Sequence, residues 1–194
     1  MPRSDSRRAD ELVAAALLES ARSSVRPVVL IDGGSGSGKS TIAEALASAL
    51  GAQRVSLEDI YPGWHGLEQA SDAVRATVLA PDAPGWLRWD WARGERAEWH
   101  PLDPEKPLVV EGSGGLSAAN RALATLGIWV ELDPETRKAR ALERDGDLYA
   151  PWWDIWAEQE RAFAQRERPR EHADLILDGH DISTLAAALG RPLS

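Results

Sequence analysis

Apolar residues along the chain fall into short blocks that alternate between two periods. Pro27-Val28-Val29-Leu30-Ile31 is rich in β-branched residues and stops at glycines, as a strand buried on both faces does. Ile42, Ala45, Leu46 and Ala49 then recur at i, i+3, i+4 and i+7, one face of a helix, and Gly51 is placed to end it. The same alternation predicts a strand over Arg54–Leu57, a helix over Leu67–Leu79 and a strand over Leu108–Val110. A helix over Ser117–Leu126 and a strand over Ile128–Leu132 follow. Asp133-Pro134-Glu135 supplies an N-cap, a proline at the first helical position and an acidic first turn for the next helix. Pro151–Arg168 reads as helix and Ala173–Leu177 as a last strand, while Asp181 caps a final helix closed by Gly190 and Pro192. At the start, Ser6–Ser20 reads as a helix with Leu12, Ala15, Ala16 and Leu18 as its apolar stripe. Strands alternating with helices predict a single α/β domain over residues 1–194. Its central parallel sheet is covered on both faces, in three layers, and ligands are expected at the carboxyl ends of the strands.

One stretch breaks the rhythm. Residues 81–107 hold five of the twelve prolines (Pro81, Pro84, Pro101, Pro104 and Pro107), and Trp86, Trp89, Trp91 and Trp99 alternate there with polar residues. This reads as a Trp-rich insertion on the substrate side, with a hairpin around Gly94.

Composition narrows the partners. A net charge of −9 and no Lys/Arg-rich block argue against nucleic acid, because a polyanion would be repelled. No apolar run approaches the roughly 20 residues of a membrane helix, and nothing near the N-terminus reads as an export signal. The absence of cysteine excludes disulfides and thiolate catalysis, so a cytoplasmic location without membrane attachment is expected.

Gly33-Gly34-Ser35-Gly36-Ser37-Gly38-Lys39-Ser40 fills every fixed position of the phosphate-loop motif, with a strand before it and an amphipathic helix after it. Such a loop points successive backbone N–H groups at phosphate oxygens, and the helix N-terminus adds its unpaired amides. The nucleotide contacts are therefore expected from Gly33 through Ser40 and from Thr41 in the first helical turn. Lys39 can reach the β- and γ-phosphates, and Ser40 can ligate Mg²⁺. The only asparagine, Asn120, is followed by Arg121, so the guanine-reading N-K-x-D motif of regulatory GTPases is missing. That leaves an ATP-dependent kinase within the P-loop NTPase fold.

From Pro27 to Asp178 the sequence resembles, in order, the uridine kinase and phosphoribulokinase group of P-loop kinases. The resemblance rests on the phosphate loop, Glu58-Asp59-Ile60-Tyr61, Trp89-Asp90-Trp91, Val109-Val110-Glu111-Gly112, and Arg137 through Arg144-Asp145. It implies that an acid after the second strand orients or deprotonates the acceptor, that Asp90 faces acceptor hydroxyls, and that an arginine-rich lid spans about residues 137–168. Where the group has aspartate as base this chain has Glu58, so either Glu58 or Asp59 can carry the role. Tyr61, Trp89 and Trp91 join Asp90 as candidate acceptor contacts.

The residues support these roles by position. Glu58 and Asp59 sit just past a strand's carboxyl end, where a general base belongs. Glu111 ends another strand and can approach Mg²⁺, and Asp32 stands just before the loop. Arg137, Arg140 and Arg144 share one helix face, with Arg140 and Arg144 the candidates to neutralise charge on the moving phosphoryl group. The expected acceptor is a small hydroxylated metabolite, nucleoside- or ribose-like. A sugar, vitamin precursor or antibiotic acceptor, and an ATP-dependent switch with slow hydrolysis, remain as alternatives.

Overall fold

A computed structural model describes residues 3–190, with side chains from residue 11 onward; Pro192 lies outside the described residues. The chain runs α1 (Arg3–Ala21), β1 (Val28–Asp32), α2 (Lys39–Leu50), β2 (Gln53–Ser56), α3 (Leu67–Ala73), β3 (Gly85–Asp90) and β4 (Glu95–Pro101). It continues through β5 (Leu108–Glu111), α4 (Ala118–Arg121), β6 (Leu126–Glu131), α5 (Pro134–Asp145), α6 (Trp153–Glu167), α7 (Pro169–His172), β7 (Leu175–Asp178) and α8 (Ile182–Leu189).

Five strands form one parallel sheet in the order β2-β5-β1-β6-β7. Successive β1 side chains point to opposite faces, so each face gains its own core. Val28 and Leu30 pack with Val55, Leu67, Val74, Trp156 and Phe163, under α3 and α6. Val29 and Ile31 pack with Leu17, Ile42, Leu46 and Leu185, under α1, α2 and α8. This is the three-layer α/β arrangement expected from the sequence. All five strands deliver their carboxyl ends to one edge, where Asp32, Ser56, Glu111, Glu131 and Asp178 are the last strand residues. The chain leaves β1 for β2 on one side and later crosses from β5 to β6 on the other. The crevice that this reversal opens lies over the end of β1.

Several elements differ from the sequence reading. The buried face of α1 is Ala14, Leu17, Leu18 and Ala21, while Leu12 is exposed and Ala15 only half-buried. An alanine-rich run offers two registers, and packing against α2 and α8 selects the one that buries both Leu17 and Leu18. The expected Ser117–Leu126 helix shortens to α4, because Leu126 is already paired to Val29 in the sheet. The second crossover helix turns wider after Ala73, with π-type bonds over Val74–Val78. Arg168 takes a left-handed conformation (φ 47°), which stops α6 before Pro169 opens α7. Residues 81–107 do contain a hairpin, the antiparallel pair β3–β4 with Gly94 at its turn. Among the described residues no helix is long and apolar enough to cross a membrane.

Leu30 is fully buried in the central strand. Leu30→Ala should lower unfolding free energy by about 2–5 kcal/mol, read from urea titration. A loss below about 1 kcal/mol would contradict the central placement of β1.

Candidate active site

The turn after β1 is tight because its glycines allow it. Gly36 has φ +82°, and a side chain there would run into the backbone carbonyl of Arg137. Asp32, buried at the end of β1, anchors both sides of the crevice. Its Oδ1 accepts from the Gly33 N–H at 2.6 Å and the Gly114 N–H at 3.1 Å, and its Oδ2 from the Leu116 N–H at 2.9 Å. Asp32 thus ties the loop that follows β5 to the head of the phosphate loop. Burial pushes its carboxyl up to about 6, against the opposing pull of these N–H donors and of Lys39.

Lys39 is largely buried, and its amine donates to the Gly34 carbonyl at 3.1 Å, which holds it along the loop. Ser40 donates to Glu111 Oε2 at 3.3 Å, so the hydroxyl at the start of α2 and the acid ending β5 meet directly. Glu111 is buried, which pushes its carboxyl up, while Lys39 pulls it down; Arg54 lies at 3.8 Å.

A cavity of about 910 Å³ opens over these groups. Its floor is Ser35, Gly36, Gly38, Lys39, Ser40 and Thr41, with Glu58 and Glu111 beside them and Arg140 and Arg144 above. Arg140 donates to the Gly179 carbonyl at 2.9 Å. Arg144 holds Asp145 through two bonds at 2.9 and 2.7 Å and lies 3.5 Å from Glu58. The far wall is aromatic. Trp64 stacks with Tyr149 (5.3 Å, 15°) and with Trp152 (5.6 Å, 7°), and Trp91 is tilted against it at 4.9 Å. Tyr61 meets Trp156 edge-on at 4.6 Å and donates its hydroxyl to the Ser113 carbonyl at 2.8 Å.

The structure therefore gathers Ser35, Gly36, Gly38, Lys39, Ser40, Thr41, Glu58, Tyr61, Trp91, Glu111, Arg140 and Arg144 around one cavity. Gly33, Gly34 and Ser37 complete the loop from behind. Asp59, Trp89 and Asp90 stand apart from it. Asp59 is exposed, one residue beyond Glu58 in a single 3-10 turn. Asp90 caps the hairpin turn instead, accepting from the Ala92 and Arg93 N–H groups at 3.0 and 3.1 Å, with Arg88 at 3.7 Å. A tight hairpin leaves amides unpaired at its tip, and a short acidic side chain satisfies them locally. Arg137, on the same helix face as Arg140, lies behind the loop, where it donates to the Ser35 carbonyl at 3.2 Å.

Sequence reasoning missed three contributors. Trp64 and Tyr149 are lone aromatics in loops, without periodicity to mark them. Glu160 sits within the acid-rich helix α6, where no motif singles it out. Its side chain is 10% exposed and meets the Ser35 N–H at 2.6 Å, Ser113 Oγ at 2.9 Å and the Trp156 indole at 3.0 Å. The only sequence cue was the i, i+4 spacing of Trp156 and Glu160.

No protein-family model matches the chain. The chain is 28% identical to dephospho-CoA kinase of Escherichia coli (strain K12) over 186 residues, covering 80% of this chain and 85% of that protein. A candidate uridine kinase from Bacillus stearothermophilus matches 88% of this chain and 98% of its own, with a TM-score of 0.59 at 16% identity. A candidate fructose transport system kinase from Silicibacter sp. TM1040 covers 86% and 98%, with a TM-score of 0.53 at 21% identity. The fold is that of P-loop kinases similar to uridine kinase, as the sequence resemblance implied. With the kinase relatives and the complete phosphate loop, the chain is an ATP-dependent phosphotransferase.

The Asp32 carboxyl gives this site a pH signature. Its pKa in the folded state lies above the unfolded value, so the folded protein holds the proton more tightly. Its contribution is full below about pH 4 and is lost as pH rises to about 6, a loss of roughly 3 kcal/mol. The stability of wild type relative to Asp32→Asn should fall by that order across this window, measured by denaturant unfolding at several pH values. A difference that stays constant would contradict the buried, proton-holding carboxyl.

Proposed function

We propose that the protein transfers the γ-phosphoryl group of Mg-ATP to a hydroxyl of a small acceptor carrying a flat ring, with nucleoside-like and ribose-bearing compounds the best fit. The observation that carries this reading is the shared cavity, with the phosphate loop on one side and Glu58 and the aromatic wall on the other. A ring laid against Trp64, Trp91, Tyr149 or Trp152 gains about 0.5–1.5 kcal/mol per aromatic pair beyond its area burial.

The loop suits a polyphosphate. Its glycines let it lie close against Val130, Arg137 and Ile182, where side chains at Gly33, Gly36 and Gly38 would clash, and the Ser37 hydroxyl is buried without a hydrogen-bond partner. The Ser40 hydroxyl and the Glu111 carboxylate offer the oxygen donors that magnesium prefers. Among the described residues no group of three or more acidic or histidine side chains could hold a metal alone. That agrees with an ion taking most of its ligands from phosphate and water. When bound, magnesium neutralises charge on the phosphate oxygens.

Lys39, Arg140 and Arg144 oppose the negative charge of the transferring group, a preorganised electrostatic role. Glu58 takes the proton of the acceptor hydroxyl as that oxygen bonds to phosphorus and ADP leaves. Glu58 carries this role rather than Asp59 because Glu58 alone of the two lines the cavity.

An acceptor panel tests the reading by ADP release. It should contain nucleosides and pentoses first, then hexoses, vitamin precursors, aminoglycosides and dephospho-CoA, the compound named in the relatives' activity. One acceptor or more should raise ADP release above the acceptor-free rate. Glu58→Gln should lower that stimulated rate by about 100-fold or more with little change in the KM for ATP, and Asp59→Asn should do less. Lys39→Ala should nearly abolish it; equal turnover in wild type and Lys39→Ala would sink the assignment.

A further inference from the structure

We infer that Glu160 is a positioning residue for the phosphate loop, its two carboxylate oxygens holding different parts of the nucleotide site. This rests on the phosphate-loop reading above. Glu160 comes from α6, far along the chain, yet its carboxylate reaches the backbone of the loop. Oε1 accepts from the Ser35 N–H at 2.6 Å, from Ser113 Oγ at 2.9 Å and from the Trp156 indole at 3.0 Å. Oε2 accepts from Arg137 Nη1 at 3.1 Å, and the same nitrogen reaches the Ser35 carbonyl at 3.2 Å. Both the N–H and the carbonyl of Ser35 are thus fixed from one side, by Glu160 directly and through Arg137.

This grip decides which amides the loop presents. The Gly33 N–H is spent on Asp32, the Ser35 N–H on Glu160 and the Ser37 N–H on the Gly34 carbonyl at 3.1 Å. With the Gly33, Ser35 and Ser37 amides satisfied inside the protein, the remaining loop amides and those of the first turn of α2 are left for a phosphate chain. Without Glu160 the Ser35 amide, Ser113 and Trp156 lose their shared acceptor. The loop must then be ordered by the nucleotide itself, and that cost is paid from binding. Glu160 also ties the loop to the acceptor side, because Trp156 carries the edge of Tyr61 and both rings line the cavity.

The distinct tasks of the two oxygens make the claim testable with Mg-ADP as probe. Glu160→Gln keeps a carbonyl oxygen for the three donors at Oε1 and loses the charge and the acceptor that Arg137 uses. Glu160→Asp keeps the charge but is one methylene too short to reach the loop. Titration calorimetry at a temperature well below each melting point should show the smaller loss for Glu160→Gln, which gives up only the Arg137 half of the grip. Glu160→Asp and Glu160→Ala should weaken Mg-ADP by about 10-fold or more, which is about 1.4 kcal/mol. If Glu160→Ala does not fold, the Asp and Gln pair carries the comparison. Wild-type affinity in a folded Glu160→Asp, with only a lower melting temperature, would reduce Glu160 to a structural residue and overturn the proposal. So would Glu160→Gln binding as weakly as Glu160→Asp. A wild type that binds no Mg-ADP would overturn the phosphate-loop reading itself, a result that the variants alone cannot produce.

Discussion

Two carboxylates grip the turn after β1, Asp32 at the Gly33 N–H and Glu160 at the Ser35 N–H. The rest of the site depends on that grip. A loop rich in glycine carries a large conformational entropy, and something outside it must remove that freedom before a ligand arrives. Here the sheet supplies one anchor, since Asp32 ends the central strand and also holds the Gly114 and Leu116 N–H groups. The helical layer supplies the other, since Glu160 belongs to α6. Lys39, Ser40 and Glu111 then lie over the crevice because β1 and β5 are neighbours, with Ile31 paired to Glu111.

The proposed acceptor side is built on a different principle. Its aromatic residues come from loops and helix starts scattered from Tyr61 to Trp156, and stacking holds them together. Trp64 is the hub of that cluster, stacked with both Tyr149 and Trp152. The β3–β4 hairpin joins it through Trp91, whose indole donates to the Glu58 carbonyl at 2.9 Å. That single bond places the backbone of the candidate base and the edge of the aromatic wall in fixed relation. Arg144 approaches the same glutamate from α5. The candidate base and the aromatic wall are therefore tied together at Glu58.

The parts of this arrangement legible in the sequence are those with a period or a fixed spacing. Val28 to Ile31, the Ile42–Ala49 face and the phosphate-loop spelling are local patterns, and each specifies its element without help from the rest of the chain. Glu111 and Glu58 were legible as candidates because one ends a strand and the other lies just past a strand end, and topology brings strand ends together. Trp64, Tyr149 and Glu160 were not legible, since their roles arise from contacts between distant segments that no local pattern records. Asp90 shows the opposite case. Its place in a family-like triplet suggested an acceptor contact, whereas the hairpin turn claims its carboxylate for the Ala92 and Arg93 amides. The register of α1 depended on packing in the same way, because an alanine-rich face does not declare which side is inward.

The central claim is that this crevice moves a phosphoryl group onto an organic hydroxyl, and following the phosphorus tests it most directly. The protein would be incubated with ATP labelled at the γ-phosphate and the acceptor panel, and the products separated by charge. The account predicts that label appears in a new organic phosphate only when its acceptor is present, in equal amount to the ADP formed above the basal rate. Label found solely in inorganic phosphate, at one rate with and without every acceptor, would contradict it.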